Sequence, residues 1–173
     1  MGLIRLLRPA PLEFATARCR VDRPRRGDRP ALHALLRDEP VWRHLGGLRR
    51  GDRAEAWVDG VLGRGGGVVR AVRHDGLAGV LFLSPHHDEP TPEVSYLLRS
   101  DLWGRGLAAE AVGAFVSGAL SLGHGRILAE TQAANGASRR LPERLAFAEE
   151  RRVESFGAEQ VIYAIRPEPA RRS

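Results

Sequence analysis

Lysine is absent from this chain: all 27 basic side chains among its 173 residues are Arg. A nucleoside-triphosphate loop, which needs Lys followed by Ser or Thr after its second glycine, is thereby excluded. The same absence discounts the formal charge of +6 as a sign of a nucleic-acid partner. Loss of Lys from every surface site reads as the coding bias of a GC-rich genome, which the codon usage of neighbouring genes tests, and not as a basic binding face. Cysteine occurs once, at Cys19, so an intramolecular disulfide framework is excluded and a reducing, cytoplasmic setting is the default expectation. No apolar run approaches the ~18–20 residues that span a bilayer. Met1 to Leu12 is broken by Arg5, Arg8, Pro9 and Pro11 where a signal peptide needs an apolar core.

What is present, 43% hydrophobic and 28% charged residues, suits one globular domain. The expected organisation is an N-terminal extension over residues 1–13, a single domain over 14–166 and a tail over 167–173, both ends being rich in Pro and Arg. Phe14 to Val21 reads as a first strand, with Cys19 buried in it. Asp28 caps a predicted helix over Arg29 to Arg37, in whose first turn Pro30 is tolerated. Asp52 caps a second, carrying Trp57, Val58 and Val61 and ending in the run Gly63, Gly65, Gly66, Gly67. Asp75-Gly76 signals a hairpin between strands Val68 to His74 and Leu77 to Leu83. After a loop from Ser84 to Pro92, Glu93 to Arg99 alternates with Val94, Tyr96 and Leu98 on one face. The longest helical period follows through Ala108, Val112, Phe115, Val116, Ala119 and Leu120. A strand over Arg126 to Thr131, a helix over Gly136 to Leu145, and strands near Ala148 to Glu154 and Gln160 to Ile165 complete an α/β pattern.

Trp103-Gly104-Arg105-Gly106-Leu107-Ala108 stands where a strand hands the chain to that long helix. Successive N–H groups at a helix N-terminus bind anions, and glycine lets a ligand approach the backbone, so a pyrophosphate fits here. Gly104, Gly106 and Ala109 also match the spacing of a dinucleotide fingerprint, with Glu130 as its ribose-binding acid. That fold needs further strands, for which the rest of the chain has no room.

The motif resembles the pyrophosphate-binding turn of the GNAT superfamily of N-acetyltransferases, and Asn135-Gly-Ala-Ser138 with Leu145-Ala-Phe147 resembles that family's next helix. Glu93-Val-Ser-Tyr-Leu-Leu98 leading into Trp103-Gly-Arg-Gly-Leu-Ala108 resembles in particular the ribosomal-protein N-terminal (serine/alanine) acetyltransferase branch. The resemblance covers about Thr16 to Ile165. It implies a mixed, mainly antiparallel sheet flanked by helices, and acetyl-coenzyme A (acetyl-CoA) as cosubstrate. By the same resemblance the pyrophosphate lies on the amides of Trp103, Gly104, Arg105, Gly106, Leu107 and Ala108. The pantetheine arm lies along Tyr96, Leu97 and Leu98, where a bulge frees an N–H for the thioester oxygen, and Asn135 bonds the pantetheine or positions the site.

Acetyl transfer to an amine needs the amine neutral, whereas alkylamines are largely protonated at pH 7. Glu93 matches the family's base and Ser138 the group placed at the leaving thiolate. Two departures from the family pattern stand out. Pro142 lies inside the helix bearing Ser138, where it removes an amide donor, and Ala146 replaces a glycine that favours a left-handed turn.

Other features have plainer readings. His86-His87-Asp88-Glu89 reads as a solvated loop, since adjacent residues seldom converge on one ion, and no metal is expected. Trp42 and Leu45 read as core, near His44 where the family forms its acceptor pocket. The Arg runs at 23–29 and 49–53 read as solvated faces. The chain is therefore expected to acetylate a primary amine, a peptide N-terminus or a small amine such as an amino sugar or antibiotic, by direct attack. The expected setting has no membrane or nucleic-acid partner and leaves a homodimer open. The alternative is a non-catalytic relative that binds acyl-CoA or a protein partner.

Overall fold

A computed structural model describes residues 13–63 and 67–167. The expected N-terminal extension, apart from Glu13, the tail beyond Pro167, and Gly65 and Gly66 lie outside them. Eight strands form one sheet: β1 (Phe14–Ala15), β2 (Arg20–Asp22), β3 (Val68–Arg73), β4 (Leu77–Pro85), β5 (Pro92–Leu98), β6 (Ile127–Gln132), β7 (Ala148–Ser155) and β8 (Ala158–Ile165). Among the described residues five α-helices accompany it: α1 (Arg29–Leu36), α2 (Glu39–Trp42), α3 (Asp52–Leu62), α4 (Leu107–Ser121) and α5 (Gly136–Arg144). The spatial order is β1-β2-β3-β4-β5-β6-β8-β7, and only the β5–β6 neighbours are parallel. No described helix is long and apolar enough to cross a membrane.

Local chemistry accounts for most of the elements. Asp75 and Gly76 both take positive φ, 50° and 99°, the backbone of a tight hairpin between β3 and β4. The expected first strand, Phe14 to Val21, is instead two short ones. Thr16 reaches across to Cys19, its N–H donating to the Cys19 carbonyl at 2.7 Å while its Oγ1 accepts from the Cys19 N–H at 2.9 Å. This side-chain turn competes with extended pairing. Cys19 is buried but sits in that turn and not in a strand.

Neither expected side-chain cap forms, although Asp28 stands at the N-cap position of α1. The Asp28 carboxylate accepts from the Arg25 amide at 2.7 Å and from Arg73 at 2.8 and 3.0 Å, so tertiary partners take it from the helix. Gly51, at φ 53°, occupies the cap position of α3, and Asp52 follows in the first turn, where its charge suits the helix dipole.

Strand alternation sends neighbouring side chains into two separate cores. Val72, Leu81, Leu83, Val94 and Leu98 pack against Ala111, Val112, Phe115, Val116 and Ala119 of α4. Ala71, Leu77 and Val80 pack against Leu32, Leu35, Leu36, Val58 and Val61 of α1 and α3. At ~1.5–3 kcal/mol for each large apolar side chain fully buried, these two faces hold the sheet rigid beneath the site.

The sheet opens at its centre. β5 and β6 share a single register pair, Glu93 with Leu128, and then part, β5 following β4 and β6 following β8. The edge of β5 beyond Glu93 is thereby left without a strand partner among the described residues. The bulge expected in β5 is not found, because its register with β4 runs unbroken from Gly79–Leu98 to Pro85–Pro92. The Leu97 carbonyl lies over Gly79 so closely that a Cβ there would sit 2.1 Å from it, an approach only glycine permits.

Candidate active site

The split between β5 and β6 is the floor of a cavity of about 1210 Å³, lined by β5 from Glu93 to Leu98, by β6 from Ala129 to Gln132, and by both ends of the loop into α5. At one end stands the turn preceding α4. Gly104 and Gly106 take φ 74° and 78°, and Gly106 caps the helix with no side chain over its first amides. A Cβ on Gly104 would meet nothing within 4 Å, so the turn is open to a ligand. The acid in the first turn of α4 is turned aside. Glu110 binds the Thr16 hydroxyl and accepts from the Arg18 amide and guanidinium, each at 2.7 Å, and these bonds hold its carboxyl down at about 2. Arg18 also donates to the Arg105 carbonyl at 2.7 Å, stapling the β1–β2 turn to the glycine turn.

The structure places the expected coenzyme residues unequally. Tyr96, Leu97, Leu98, Trp103, Gly104, Gly106, Ala108 and Asn135 line the cavity. Leu107 is buried in the core and Arg105 points to solvent, so they offer the turn their backbone only. Trp103 is half-exposed with its indole N–H fixed on the Leu98 carbonyl at 2.9 Å, which leaves its ring beside the cavity.

Glu93 stands at the other end. Burial, together with the nearby Glu130 carboxylate, pushes its carboxyl up to about 7. From sequence alone, His86-His87 is a solvated loop and Glu130 only a ribose ligand. The structure corrects both: single ligand atoms of His86, His87, Glu93 and Glu130 lie within 4.8 Å of one another. His86 is fully buried, and its Nδ1 accepts from the Asp88 amide at 3.1 Å. In neutral imidazole the proton is then on Nε2, which donates to Glu130 Oε2 at 2.8 Å. So bonded, His86 has no lone pair left for a metal, and His87, Glu93 and Glu130 remain as the oxygen and nitrogen donors.

Asn135 caps α5, its Oδ1 accepting from the Ser138 amide at 3.1 Å, so Asn135 and Ser138 are held together at the cavity wall. Pro142 lies within α5 without ending it, and Ala146 adopts the left-handed conformation, φ 61°, that its side chain disfavours. Trp42 is core, bonded to the Leu35 carbonyl at 2.9 Å. Leu45 is not: it is exposed and lines the cavity, as do His44, Gln132 and Phe156. His44 Nδ1 meets Gln132 at 3.3 Å, joining the α2–α3 loop to β6. No motif in the chain marks Gln132 or Phe156, because only the sheet's split and the β7–β8 turn bring them to the site.

Residues 18–148 match the family described as "Acetyltransferase (GNAT) domain". The chain belongs to the GNAT acetyltransferases. No curated protein matches it in sequence. Among solved GNAT-like structures, an acetyltransferase from Bacillus anthracis superposes with a TM-score of 0.76 at 20% identity, covering 89% of this chain and 98% of that one. One from T. thermophilus, described as a putative acetyltransferase, gives 0.76 at 21%, covering 92% of each. A ribosomal L7/L12 alpha-N-protein acetyltransferase gives 0.73 at 18%, covering 88% and 92%. These likenesses are of fold. Membership assigns acetyl-CoA-dependent acetyl transfer in general and implies a coenzyme pocket typical of the family.

Proposed function

We propose that this GNAT protein is an N-acetyltransferase that moves the acetyl group of acetyl-CoA directly to a primary amine. One observation carries the reading: a single crevice has an open anion turn at Gly104–Gly106 and, across the sheet's split, a carboxyl poised at about 7 on Glu93. A base whose protonation changes near working pH is matched to removing an amine's proton.

The coenzyme supplies the acetyl thioester. The amides of the glycine turn hold the pyrophosphate, Arg105 and Leu107 through their backbone alone, and the free edge of β5 at Tyr96 to Leu98 pairs with the extended arm. Glu93 takes a proton from the acceptor ammonium. The freed nitrogen attacks the carbonyl carbon, the carbon–nitrogen bond forms and the carbon–sulfur bond breaks. The nitrogen's second proton goes to the leaving sulfur. Ser138, held at the cavity wall by Asn135, orients that sulfur. No metal is needed for these steps.

The acceptor is a peptide N-terminus, following the branch resemblance, or a small amine such as an amino sugar. The domain over 14–166 is sufficient for the reaction, and a cytoplasmic enzyme with no nucleic-acid partner, as monomer or homodimer, is the setting we propose. Pro142 and Ala146 point toward a non-catalytic binder, but α5 and its exit turn accommodate both. Thiol release from acetyl-CoA across an amine panel tests the proposal. Amine-dependent release supports it; saturable coenzyme binding without release replaces it with the binder.

A further inference from the structure

The Glu130 carboxylate is the least expected group in the crevice. Its side chain is 8% exposed, one oxygen is engaged by His86, and the other, Oε1, is buried without a hydrogen-bond partner among the described residues. A buried acceptor left bare is destabilising, so a donor from outside the fold is called for. Glu93 and Glu130 offer oxygens no more than 4.8 Å apart on facing strands that both line the cavity. A tetrahedral nitrogen donating to two oxygens at ~2.9 Å each spans roughly that separation.

We propose that Glu93 and Glu130 form a two-carboxylate clamp for the ammonium of a primary alkylamine, with His86 holding Glu130 in place and Glu93 receiving the ammonium proton. The inference rests on the N-acetyltransferase reading and names its acceptor class: an amine that arrives as a cation, in preference to weakly basic aryl or N-hydroxy amines that arrive neutral. Ammonium binding satisfies Glu130 Oε1 and offsets the repulsion between the two carboxylates. After the proton passes to Glu93, the neutral amine stays held by Glu130 and faces the thioester. The groups around Glu93 agree with this role. β6 presents Glu130, and the β4–β5 loop presents His86, committed to Glu130, and His87, whose Nδ1 lies 3.5 Å from Glu130. β4 places uncharged Ser84 opposite Glu93, and the α2–α3 loop presents His44, bonded to Gln132. Among these groups no fixed cation competes for the carboxylates.

The test compares benzylamine, ethanolamine and an alanyl peptide amide with aniline and hydroxylamine as acceptors, in wild type and Glu130→Gln, with coenzyme release as readout. The wild type is expected to prefer the alkylammonium amines. Glu130→Gln is expected to raise their KM about tenfold or more, the loss of a charge-assisted bond, to raise the KM for the neutral amines by a clearly smaller factor, and to leave the KM for acetyl-CoA unchanged. Equal or better turnover of the neutral amines by wild type overturns the clamp whether or not the variant folds. An equal loss for both amine classes in a folded variant, or no loss, overturns it too. Absence of release with every amine overturns the transfer reading and the clamp with it.

Discussion

The Tyr96 hydroxyl donates to the Ser138 carbonyl at 3.3 Å, and Ser138 is the residue whose i+4 partner in α5 is Pro142, which has no N–H to give. A phenol on β5 thus serves the backbone acceptor that proline left short and ties α5 to the coenzyme strand. Burial pushes that phenol up to about 12, so it remains a donor throughout the working range. Tyr96→Phe is expected to lose about 1 kcal/mol of stability. In a Pro142→Ala background, where the helix amide returns, the loss shrinks. Urea unfolding of the four proteins of the cycle measures the coupling.

Ala146 sits at φ 61° in the turn between α5 and β7. An L side chain in this region costs roughly 1–2 kcal/mol. Ala146→Gly is therefore expected to raise the thermal midpoint, offset in part by the greater freedom of glycine in the unfolded chain. Its kinetic constants stay at wild-type values, because Ala146 lies outside the cavity lining.

Gly104 and Gly106 separate conformation from space. Both have positive φ, but only at Gly106 would a new Cβ meet a neighbour, Arg18 Nη2 at 3.4 Å. Gly104→Ala and Gly106→Ala are each expected to raise the KM for acetyl-CoA, and Gly106→Ala also to loosen the Arg18 staple. Initial-rate kinetics show the effect as a rise in coenzyme KM with the amine KM nearly constant.

Glu93 links activity and stability to pH with opposite signs. Its folded value, about 7, is above the ordinary carboxyl value of 4.5, so between these the folded state binds more protons than the unfolded. Stability from this group is present below pH 4.5 and is lost as pH rises to 7. Activity runs the other way, kcat/KM rising as the base ionises near pH 7. Glu93→Gln is expected to flatten both profiles, read by thermal melts and by initial rates over the same buffers.

Arg73 joins Asp22 at 2.7 Å and Asp28 at 2.8 Å, both carboxylates being largely buried. Arg73→Met removes the guanidinium shared by two buried carboxylates, leaving Asp22 to the exposed Arg20 and Arg25 and Asp28 to the Arg25 amide, a loss of about 3 kcal/mol by chemical unfolding. Arg73 bonds hold Asp28 below its usual range, so the contribution of Asp28 is present above its unfolded value and is lost on acidification through the lower folded one.

The strongly periodic parts of the fold were legible in the chain itself. The α4 period, the Asp75-Gly76 hairpin and the Val94, Tyr96, Leu98 face all stand as read, because each is decided by spacing within a few residues. The side-chain caps at Asp28 and Asp52 and the first strand were not, since Arg73, Gly51 and the Thr16–Cys19 turn changed the local balance. In the candidate site, the glycine turn and Glu93 were singled out by motif position, and both line the cavity. Glu130 and His86 were not, being separated by 44 residues and joined only when β6 lies beside β5.

By itself the sequence narrowed the class of chemistry: absence of Lys excluded the triphosphate loop, glycines before a long helix suited a pyrophosphate, and the resemblance carried by that motif pointed to acetyl transfer. Only the tertiary structure decided where the sheet parts and which acid faces Glu93. Strand partnership depends on pairing and packing summed over the whole sheet, and no local spacing encodes which distant carboxylate that sum will bring near.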